Sequence, residues 1–318
     1  MMQISSFCNT IVIIHIYTSN KIRLFIKNGK FMEEKMVKKL LLVSLMCVIL
    51  GFGSVVAAEN VVIKGSTTVL PIAQAALEAY MKAHPGVNIS LSGGGSGDGI
   101  KALIDKSTDI ATSSREIKAK EIQLAKGKGV NPVAHAVAID ALAPIVHPKN
   151  RVNGLTIDQL SQIYQGKIKN WKEVGGDDLQ IVVVSRDSSS GTFESWGHLV
   201  LNNARVTPRA QMQASSGAVV QAVSKNRYAI SYVGIGYLNK SVKALTVNGV
   251  AASAKTALSK EYPIARPLYM YTNGQPTGET ANFVDFVVSI EGQRLVAKSG
   301  FVPLAAVEQK KPSKKGKK

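Results

Sequence analysis

The stretch of residues 180–201 reads QIVVVSRDSSSGTFESWGHLVL, and it decides the fold class. Its first part, residues 180–185, is a continuous apolar run, which is typical of a strand buried on both faces. Its last part, residues 192–201, has the spacing of a helix. A loop of hydroxyl residues with one glycine and one arginine joins them. This order predicts an α/β fold whose ligands bind at the carboxyl ends of the strands.

The rest of the chain alternates in the same way, with no internal repeat and no long linker. Two domains would therefore have to be discontinuous in sequence. We expect strands at 59–64, 87–91, 109–112, 133–139, 143–147, 229–233, 245–247 and 268–271, and helices at 71–84, 99–106, 118–126, 156–164, 218–225, 282–289 and 292–298.

Composition excludes several classes of protein. The chain has 318 residues, of which 45% are hydrophobic, so it can build a sizeable core and is not a disordered protein. Its two cysteines both lie in the first 47 residues, which excludes a disulfide-stapled scaffold. No apolar run reaches 18 residues, which argues against a polytopic membrane protein. The histidines are scattered, so we expect no metal and no cofactor.

Both ends of the chain are expected to lie outside the folded protein. Residues 36–58 combine two lysines, a short apolar stretch and small residues, which is the layout of a secretory signal peptide. We therefore expect translation to start at Met36, with Met32 as the alternative, residues 1–35 to be a mis-called upstream extension, and the mature protein to be periplasmic. Residues 308–318 form a lysine-rich tail that we expect to be disordered. The formal charge of +18 owes much to these ends.

Four clusters of Ser, Thr and Gly carry the predicted chemistry, each at the end of a predicted strand. Such loops place backbone N–H groups and hydroxyls at helix N-termini, where an oxyanion is the natural guest. Any one of them could instead be an ordinary helix cap. Arg186 could pair with Asp187, but its position at the start of the hydroxyl loop favours contact with a ligand. The clusters are Gly65-Ser66-Thr67-Thr68, residues 92–99, Thr112-Ser113-Ser114-Arg115 and residues 185–192.

Several segments resemble the phosphate-binding proteins of bacterial Pst-type ABC phosphate transporters. The loop Arg-x-x-x-Ser-Gly-Thr at residues 186–192 and the segment Gly-Lys-Ile-x-x-Trp at residues 166–171 are specific in combination. Together the similar segments cover nearly all of residues 59–304, in order. They are residues 64–69, 93–99, 109–116, 160–171, 185–193, 229–238 and 262–271.

The resemblance implies a fold, a function and a site. The fold is the two-lobed type II periplasmic-binding-protein (Venus-flytrap) fold, with two mixed sheets flanked by helices. The function is capture of inorganic phosphate between the lobes and delivery to a membrane permease by a monomer that binds no nucleic acid. Crossings near Asp140 and Arg266 would divide the chain into domain 1 (residues 59–139 and 267–307) and domain 2 (residues 140–266). The implied phosphate-binding residues are Ser66, Thr67, Thr68, Ser96, Ser114, Arg186, Ser190, Gly191 and Thr192.

One position departs from part of that family. Some members carry an aspartate where this chain has Ser114, and such a carboxylate would accept the proton of hydrogen phosphate, which sulfate lacks. Asp98 is the candidate substitute, and a helix-capping role for it is equally compatible with the sequence. The sequence therefore predicts binding of an oxyanion, with phosphate, sulfate or another tetrahedral oxyanion as alternatives.

Two other functions compete with the binding protein. A secreted phosphatase could use a serine among residues 188–190, but no Gly-x-Ser-x-Gly elbow surrounds them. His198, eight residues beyond Ser190, is better explained as a structural residue. A surface protein could instead use the lysine-rich tail to hold polyanions or membranes.

Overall fold

The computed structural model describes residues 15–18, 21–24 and 60–304. β1 (His15–Thr18) and β2 (Lys21–Leu24) pair as an antiparallel hairpin, which belongs to a different unit from residues 60–304. This hairpin lies in the stretch predicted to be an upstream extension. The predicted signal peptide (36–58) and lysine-rich tail (308–318) lie outside the described residues. Within those residues, no helix is both long enough and apolar enough to span a membrane.

The remaining elements alternate between strands and helices, as an α/β fold requires. The strands are β3 (Asn60–Ser66), β4 (Asn88–Gly94), β5 (Ile110–Ser113), β6 (Pro132–Val146), β7 (Gly154–Leu155), β8 (Val182–Arg186), β9 (Gln211–Gln213), β10 (Ala229–Gly234), β11 (Lys243–Ala244), β12 (Thr246–Val247) and β13 (Ala265–Asn273). The helices are α1 (Leu70–Ala83), α2 (Ser96–Ile104), α3 (Ala119–Gly127), α4 (Ile157–Tyr164), α5 (Gly191–Leu199), α6 (Ser216–Lys225), α7 (Ala254–Leu258), α8 (Gly278–Val288) and α9 (Ile290–Lys298).

Two mixed sheets form the two lobes of the molecule. In the first lobe β3 pairs in parallel with β4 and β5, and β13 runs antiparallel between β5 and β6. In the second lobe β10 pairs antiparallel with β6 and parallel with β8, which pairs in parallel with β9. The predicted fold class is confirmed, with the refinement that the two sheets are continuous through β6.

The long strand β6 joins the lobes because it pairs with a different partner at each end. Its first part pairs with β13 as far as Ala141, and the register of β10 begins at Leu142. The prediction of separate runs at 133–139 and 143–147 was wrong on this point. Asp140 interrupts the apolar pattern, but the strand continues because Ile235 N and the Arg266 guanidinium satisfy its buried carboxylate.

Each lobe has its own hydrophobic core. The first lobe packs α1, α8 and α9 on its sheet around Ile63, Ile72 and Phe283. The second lobe is built around aromatic rings, in which Trp196 of α5 stacks on Tyr232 of β10 with ring centroids 4.3 Å apart. Since α5 follows the arginine loop directly, this stacking fixes the helix whose N-terminus carries the predicted site.

Candidate functional site

The predicted hydroxyl residues meet at the carboxyl ends of the parallel strands. Ser66, Thr67 and Thr68 end β3 or follow it, Ser96 begins α2 after β4, and Ser114 follows β5. Neighbouring parallel strands end at the same edge of a sheet, so these loops converge. All of these side chains are buried, which is unusual for Ser and Thr and requires hydrogen-bond partners.

Four hydroxyls contact one another directly and are called the hydroxyl cluster: Thr68, Ser96, Ser114 and Thr192. Thr192 lies at its centre, with its Oγ1 2.7 Å from Thr68 Oγ1 and 3.3 Å from Ser114 Oγ. Ser114 Oγ is in turn 3.3 Å from Ser96 Oγ. Thr192 belongs to the second lobe and the other three to the first, so the cluster bridges the two lobes.

The N-terminus of α5 approaches the first lobe as closely as a glycine permits. A Cβ added at Gly191 would lie 2.3 Å from Ser96 Oγ and 2.9 Å from Ser114 Oγ, so no larger residue fits there. Ser190 caps the helix, because its Oγ accepts from Phe193 N at 3.2 Å. The first turn of α5 therefore presents its partial positive charge to the hydroxyl cluster.

Arg186 supplies a full positive charge that the protein does not neutralise closely. Its side chain is 2% exposed, and the nearest carboxylate oxygen among the described residues, on Asp187, lies 3.8 Å away. Burial lowers the pKa of Arg186, yet a guanidinium stays protonated at any physiological pH. A buried cation without a close counter-charge is costly unless a guest supplies that charge.

The guanidinium of Arg186 is held in place and still has donors to spare. Nε donates to Gln213 O at 3.0 Å, Nη2 to Ala214 O at 3.1 Å, and Nη1 to Ser216 Oγ at 3.2 Å. Within the described residues these bonds engage three of its five N–H groups. One N–H remains on each of Nη1 and Nη2, and a guanidinium can present two such donors to two oxygens of a tetrahedral oxyanion.

Ser216 is a site residue that sequence reasoning missed. It begins α6, is buried, and links Arg186 to the first lobe, since its backbone N donates to Thr67 Oγ1 at 3.2 Å. The signal was present: residues 215–217 read Ser-Ser-Gly directly before a predicted helix, the same pattern as the four clusters that were recognised.

Arg266 and Asp140 were predicted only as crossing points, and the structure places both beside the hydroxyl cluster. They are register partners on β13 and β6, and the guanidinium donates to Asp140 Oδ2 from Nη2 at 3.1 Å. Burial raises the pKa of the Asp140 carboxyl, and the positive charge of Arg266 opposes that shift. Arg266 also donates to Gly191 O and Thr192 Oγ1.

Asp98 is placed outside the hydroxyl cluster, contrary to its candidacy as a proton acceptor. Its side chain is exposed and accepts from Gly95 N at 2.8 Å, which makes it the third residue of a capping box at the start of α2, with Gly95 as the N-cap. Glycine at position 95 allows this loop to approach the second lobe, since an added Cβ would lie 2.3 Å from Ser189 O. The structure therefore shows the capping role, and the role of Asp98 as a proton acceptor stays a prediction.

Two tyrosines next to the site remain neutral donors at physiological pH. Burial raises the pKa of both Tyr232 and Tyr237 to about 12. Tyr237 donates its hydroxyl proton to Thr67 O, and the Tyr232 hydroxyl lies 2.8 Å from Ser185 Oγ. They add no negative charge to oppose an anion.

An ion network spans the two lobes beside the hydroxyl cluster. Glu194, in the first turn of α5, lies 2.9 Å from Arg115 Nε and 2.7 Å from Lys118 Nζ of the first lobe. Arg115 also holds Glu121 with both Nη atoms, at 2.8 and 2.7 Å. The arginine of the third predicted cluster thus contributes to contact between the lobes and not to the cluster itself.

Over residues 60–304 and the hairpin, no group of three His, Cys, Asp or Glu side chains is placed to hold a metal ion. The chemistry of the site is that of fixed N–H and O–H donors around one arginine, which can bind an oxyanion.

Fold and site together define a solute-binding protein. Residues 53–291 match the PBP superfamily domain. The chain is 33% identical over 250 residues to the phosphate-binding protein PstS of Bacillus subtilis, covering 78% of this chain and 82% of that one. It is 34% identical over 252 residues to PstS of Borreliella burgdorferi, covering 76% of this chain and 88% of that one.

Solved structures give the same result. An X-ray structure of a phosphate ABC transporter substrate-binding protein with bound phosphate from Clostridium perfringens is 35% identical, with a TM-score of 0.73, and covers 78% of this chain and all of that one. An ABC-type phosphate transport receptor from Vibrio cholerae is 32% identical, with a TM-score of 0.63, and covers 76% of this chain and 99% of that one. This chain belongs to the PstS family of the PBP superfamily.

Proposed function

We propose that this protein captures inorganic phosphate in the cleft between its lobes and delivers it to the permease of an ABC transporter. The observation that carries the proposal is Arg186, a buried guanidinium with two unengaged N–H groups, whose nearest carboxylate oxygen among the described residues, on Asp187, lies 3.8 Å away. A phosphate dianion supplies the missing charge and accepts the free donors. The names of its relatives indicate the same solute.

The phosphate oxygens would be bound from both lobes. The hydroxyls of Thr68, Ser96 and Ser114 would donate from the first lobe, and Arg186, Gly191 and Thr192 would donate from the second. Ser66, Thr67 and Ser190 would donate as well, because their hydroxyls accept from Thr68 N, Ser216 N and Phe193 N and each keeps its own proton for an oxygen of the ion. In this arrangement fixed dipoles replace the water around the ion.

We infer the lobes to be residues 59–139 with 267–307, and residues 140–266, with the hinge at Asp140 and Arg266. Support comes from β6, whose pairing changes from β13 to β10 at Ala141–Leu142. Rotation about β6 and β13 would open the hydroxyl cluster to solvent and let the ion enter.

The cellular setting is inferred from the signal-peptide pattern of residues 36–58. We infer that residues 36–58 direct export to the periplasm and that the protein acts there as a monomer, without nucleic acid. N-terminal sequencing of the exported protein tests the start. A first residue at or near Glu59 is expected, and recovery of residues 1–35 would overturn this part of the proposal.

We further propose that the protein is not an enzyme. A serine nucleophile needs a base within hydrogen-bonding reach. Ser190 Oγ is engaged in capping α5, and His198 is an exposed residue in the last turn of that helix. A chromogenic phosphate ester provides the test: turnover that Ser190→Ala abolishes would favour the phosphatase.

A second tetrahedral oxyanion remains a candidate because of one observation. Among the described residues, no hydroxyl of the cluster bonds to a carboxylate, so nothing in the cluster selects strongly for a protonated anion. Sulfate is the natural competitor.

Equilibrium dialysis on protein stripped of carried-over ion separates these candidates, using phosphate, arsenate and sulfate. Because the relatives are named as phosphate-binding proteins, we expect tight binding of phosphate and weak binding of sulfate. If sulfate binds as tightly as phosphate, the proposed solute becomes tetrahedral oxyanions in general and not phosphate in particular.

A further inference from the structure

Arg266 is buried where the two lobes join, and all of its polar atoms have partners. Its side chain is 6% exposed and that of Asp140 is fully buried. Nε and Nη2 both face Asp140 Oδ2, at 3.3 and 3.1 Å. The other carboxylate oxygen accepts from Ile235 N at 2.9 Å. The carboxylate therefore holds the guanidinium in one orientation.

The same guanidinium also donates hydrogen bonds to the first turn of α5. Nη1 donates to Gly191 O at 3.1 Å, and Nη2 donates to Thr192 Oγ1 at 2.8 Å. These are the two residues that bring the helix N-terminus to the hydroxyl cluster. Nothing in the sequence around Arg266 indicates this contact, because 74 or more residues separate the partners.

The bond to Thr192 fixes the direction of a hydroxyl that could otherwise turn either way. An arginine carries its protons at every relevant pH, so Thr192 Oγ1 is always the acceptor in this pair. Its own proton then points to Thr68 Oγ1, to Ser114 Oγ or to a guest, since these two hydroxyls are its other hydrogen-bonding neighbours among residues 60–304. A free threonine hydroxyl has no such preference.

We propose that Arg266 is a positioning residue for the anion site, which orients the Thr192 hydroxyl as a donor and seats the first turn of α5. This inference rests on the proposed binding of phosphate. It adds to that binding a residue that touches no ligand and acts through Thr192. Asp140 has the same role one step further away, because it anchors the guanidinium.

A double-mutant cycle tests the inference. Arg266→Lys keeps a positive charge near Asp140, but one ammonium nitrogen cannot replace Nε, Nη1 and Nη2. Thr192→Val removes the hydroxyl that receives the bond. Phosphate dissociation constants are measured by calorimetry for the wild type, both single variants and the double variant, with far-UV circular dichroism and melting curves for each.

If Arg266 acts through Thr192, each single variant weakens phosphate binding about tenfold or more, and the double variant is within about threefold of Thr192→Val. Thr108→Val is the matched control. Thr108 is a buried threonine whose hydroxyl donates to Val62 O and Ile110 O in the first lobe. Its effect and that of Arg266→Lys are expected to add.

Two results would overturn the inference. One is that Arg266→Lys weakens phosphate binding as much in the Thr192→Val background as it does in the wild type. The other is that a folded Arg266→Lys variant binds phosphate with unchanged affinity. If Arg266→Lys does not fold, Asp140→Asn takes its place in the cycle, with the same two readings. A wild type that binds no phosphate in this titration contradicts the proposed function instead, so the two failures are distinguishable.

Discussion

Three hydroxyls of the site accept hydrogen bonds from groups that can only donate, namely a backbone N–H or an arginine guanidinium. Ser96 Oγ accepts from Ser114 N at 3.0 Å, Ser216 Oγ from Arg186 Nη1 at 3.2 Å, and Thr192 Oγ1 from Arg266 Nη2 at 2.8 Å. A hydroxyl used in this way directs its own proton elsewhere. The site is therefore biased towards donation, which suits a guest whose oxygens are mostly ionised.

Two glycines of α5, Gly191 and Gly197, allow a substitution at the site to be compared with the same substitution away from it. Gly191→Ala is expected to abolish measurable phosphate binding, because the added Cβ would lie 2.3 Å from Ser96 Oγ and hold the lobes apart. Gly197→Ala, on the same helix, has no heavy atom within 4 Å of the added Cβ. It should leave binding unchanged and stabilise the helix by up to about 1 kcal/mol.

Calorimetry with phosphate and thermal melting of both glycine variants make the comparison. Equal phosphate affinity in the two variants would show that the close approach of α5 to Ser96 is not needed for binding.

Sequence patterns identified the hydroxyl residues but not the charges that orient them. Thr68, Ser96, Ser114 and Thr192 were predictable because each follows a strand in a Ser/Thr/Gly loop. The role of Arg266 was not, because a lone arginine in an apolar run gives no signal of its partner 126 residues away, Asp140. Arg266 and Asp140 meet because they are register partners on β13 and β6, and no local sequence pattern shows that pairing.

At the scale of elements, α5 is held against the first lobe by its own glutamate. Glu194→Gln would remove the carboxylate that lies 2.9 Å from Arg115 Nε and 2.7 Å from Lys118 Nζ. A partly exposed ion pair of this kind contributes about 1 kcal/mol, so phosphate should dissociate roughly fivefold faster.

Stopped-flow release of phosphate checks this prediction, and Glu291→Gln is the control. Glu291 also lies in the first turn of a helix, α9, but makes no ion pair within the described residues. The same release rate in both variants would contradict a role for the ion network in closure.

The start of α3 predicts an acid-sensitive contribution to stability. Burial raises the pKa of Glu121. Hydrogen bonds from Arg115 and from Lys118 N lower this pKa by more than burial raises it, so the pKa of the folded protein lies below the usual value. A depressed pKa stabilises the fold above the unfolded pKa, and this stability is lost as pH falls through the folded pKa.

Glu121→Gln should therefore unfold at lower urea concentration than the wild type at pH 7, and the difference should shrink below about pH 4. Urea titrations at pH 7 and pH 3 measure both differences. A difference of the same size at both pH values would argue that Glu121 stabilises α3 without its charge.

Most elements were predictable because their patterns are local, and the exceptions have physical reasons. The helices at 118–126 and 218–225 needed only apolar spacing and caps. Strand β9 was missed because three residues, Gln211–Gln213, carry no pattern and pair only through β8. Strand β6 was divided because a buried aspartate is read as a break unless its partners are known.

At the scale of the whole molecule, one bound ion should stabilise both lobes. At 100 times the dissociation constant, phosphate adds about 2.7 kcal/mol to the free energy of unfolding. For a fold of this size that corresponds to a rise in melting temperature of roughly 5–10 °C. Scanning calorimetry with and without phosphate measures it, and Arg186→Ala should lose the rise. A rise of the same size in that variant would place the ion elsewhere.

The most direct test of the central claim is isothermal calorimetry of phosphate into the exported protein after bound ion has been removed. The account predicts one site per chain, and a loss of about 2–5 kcal/mol of binding free energy in Arg186→Ala. The exposed Arg227 provides the control, since Arg227→Ala should bind as the wild type does. No heat with phosphate, or equal affinity in wild type and Arg186→Ala, would contradict the account.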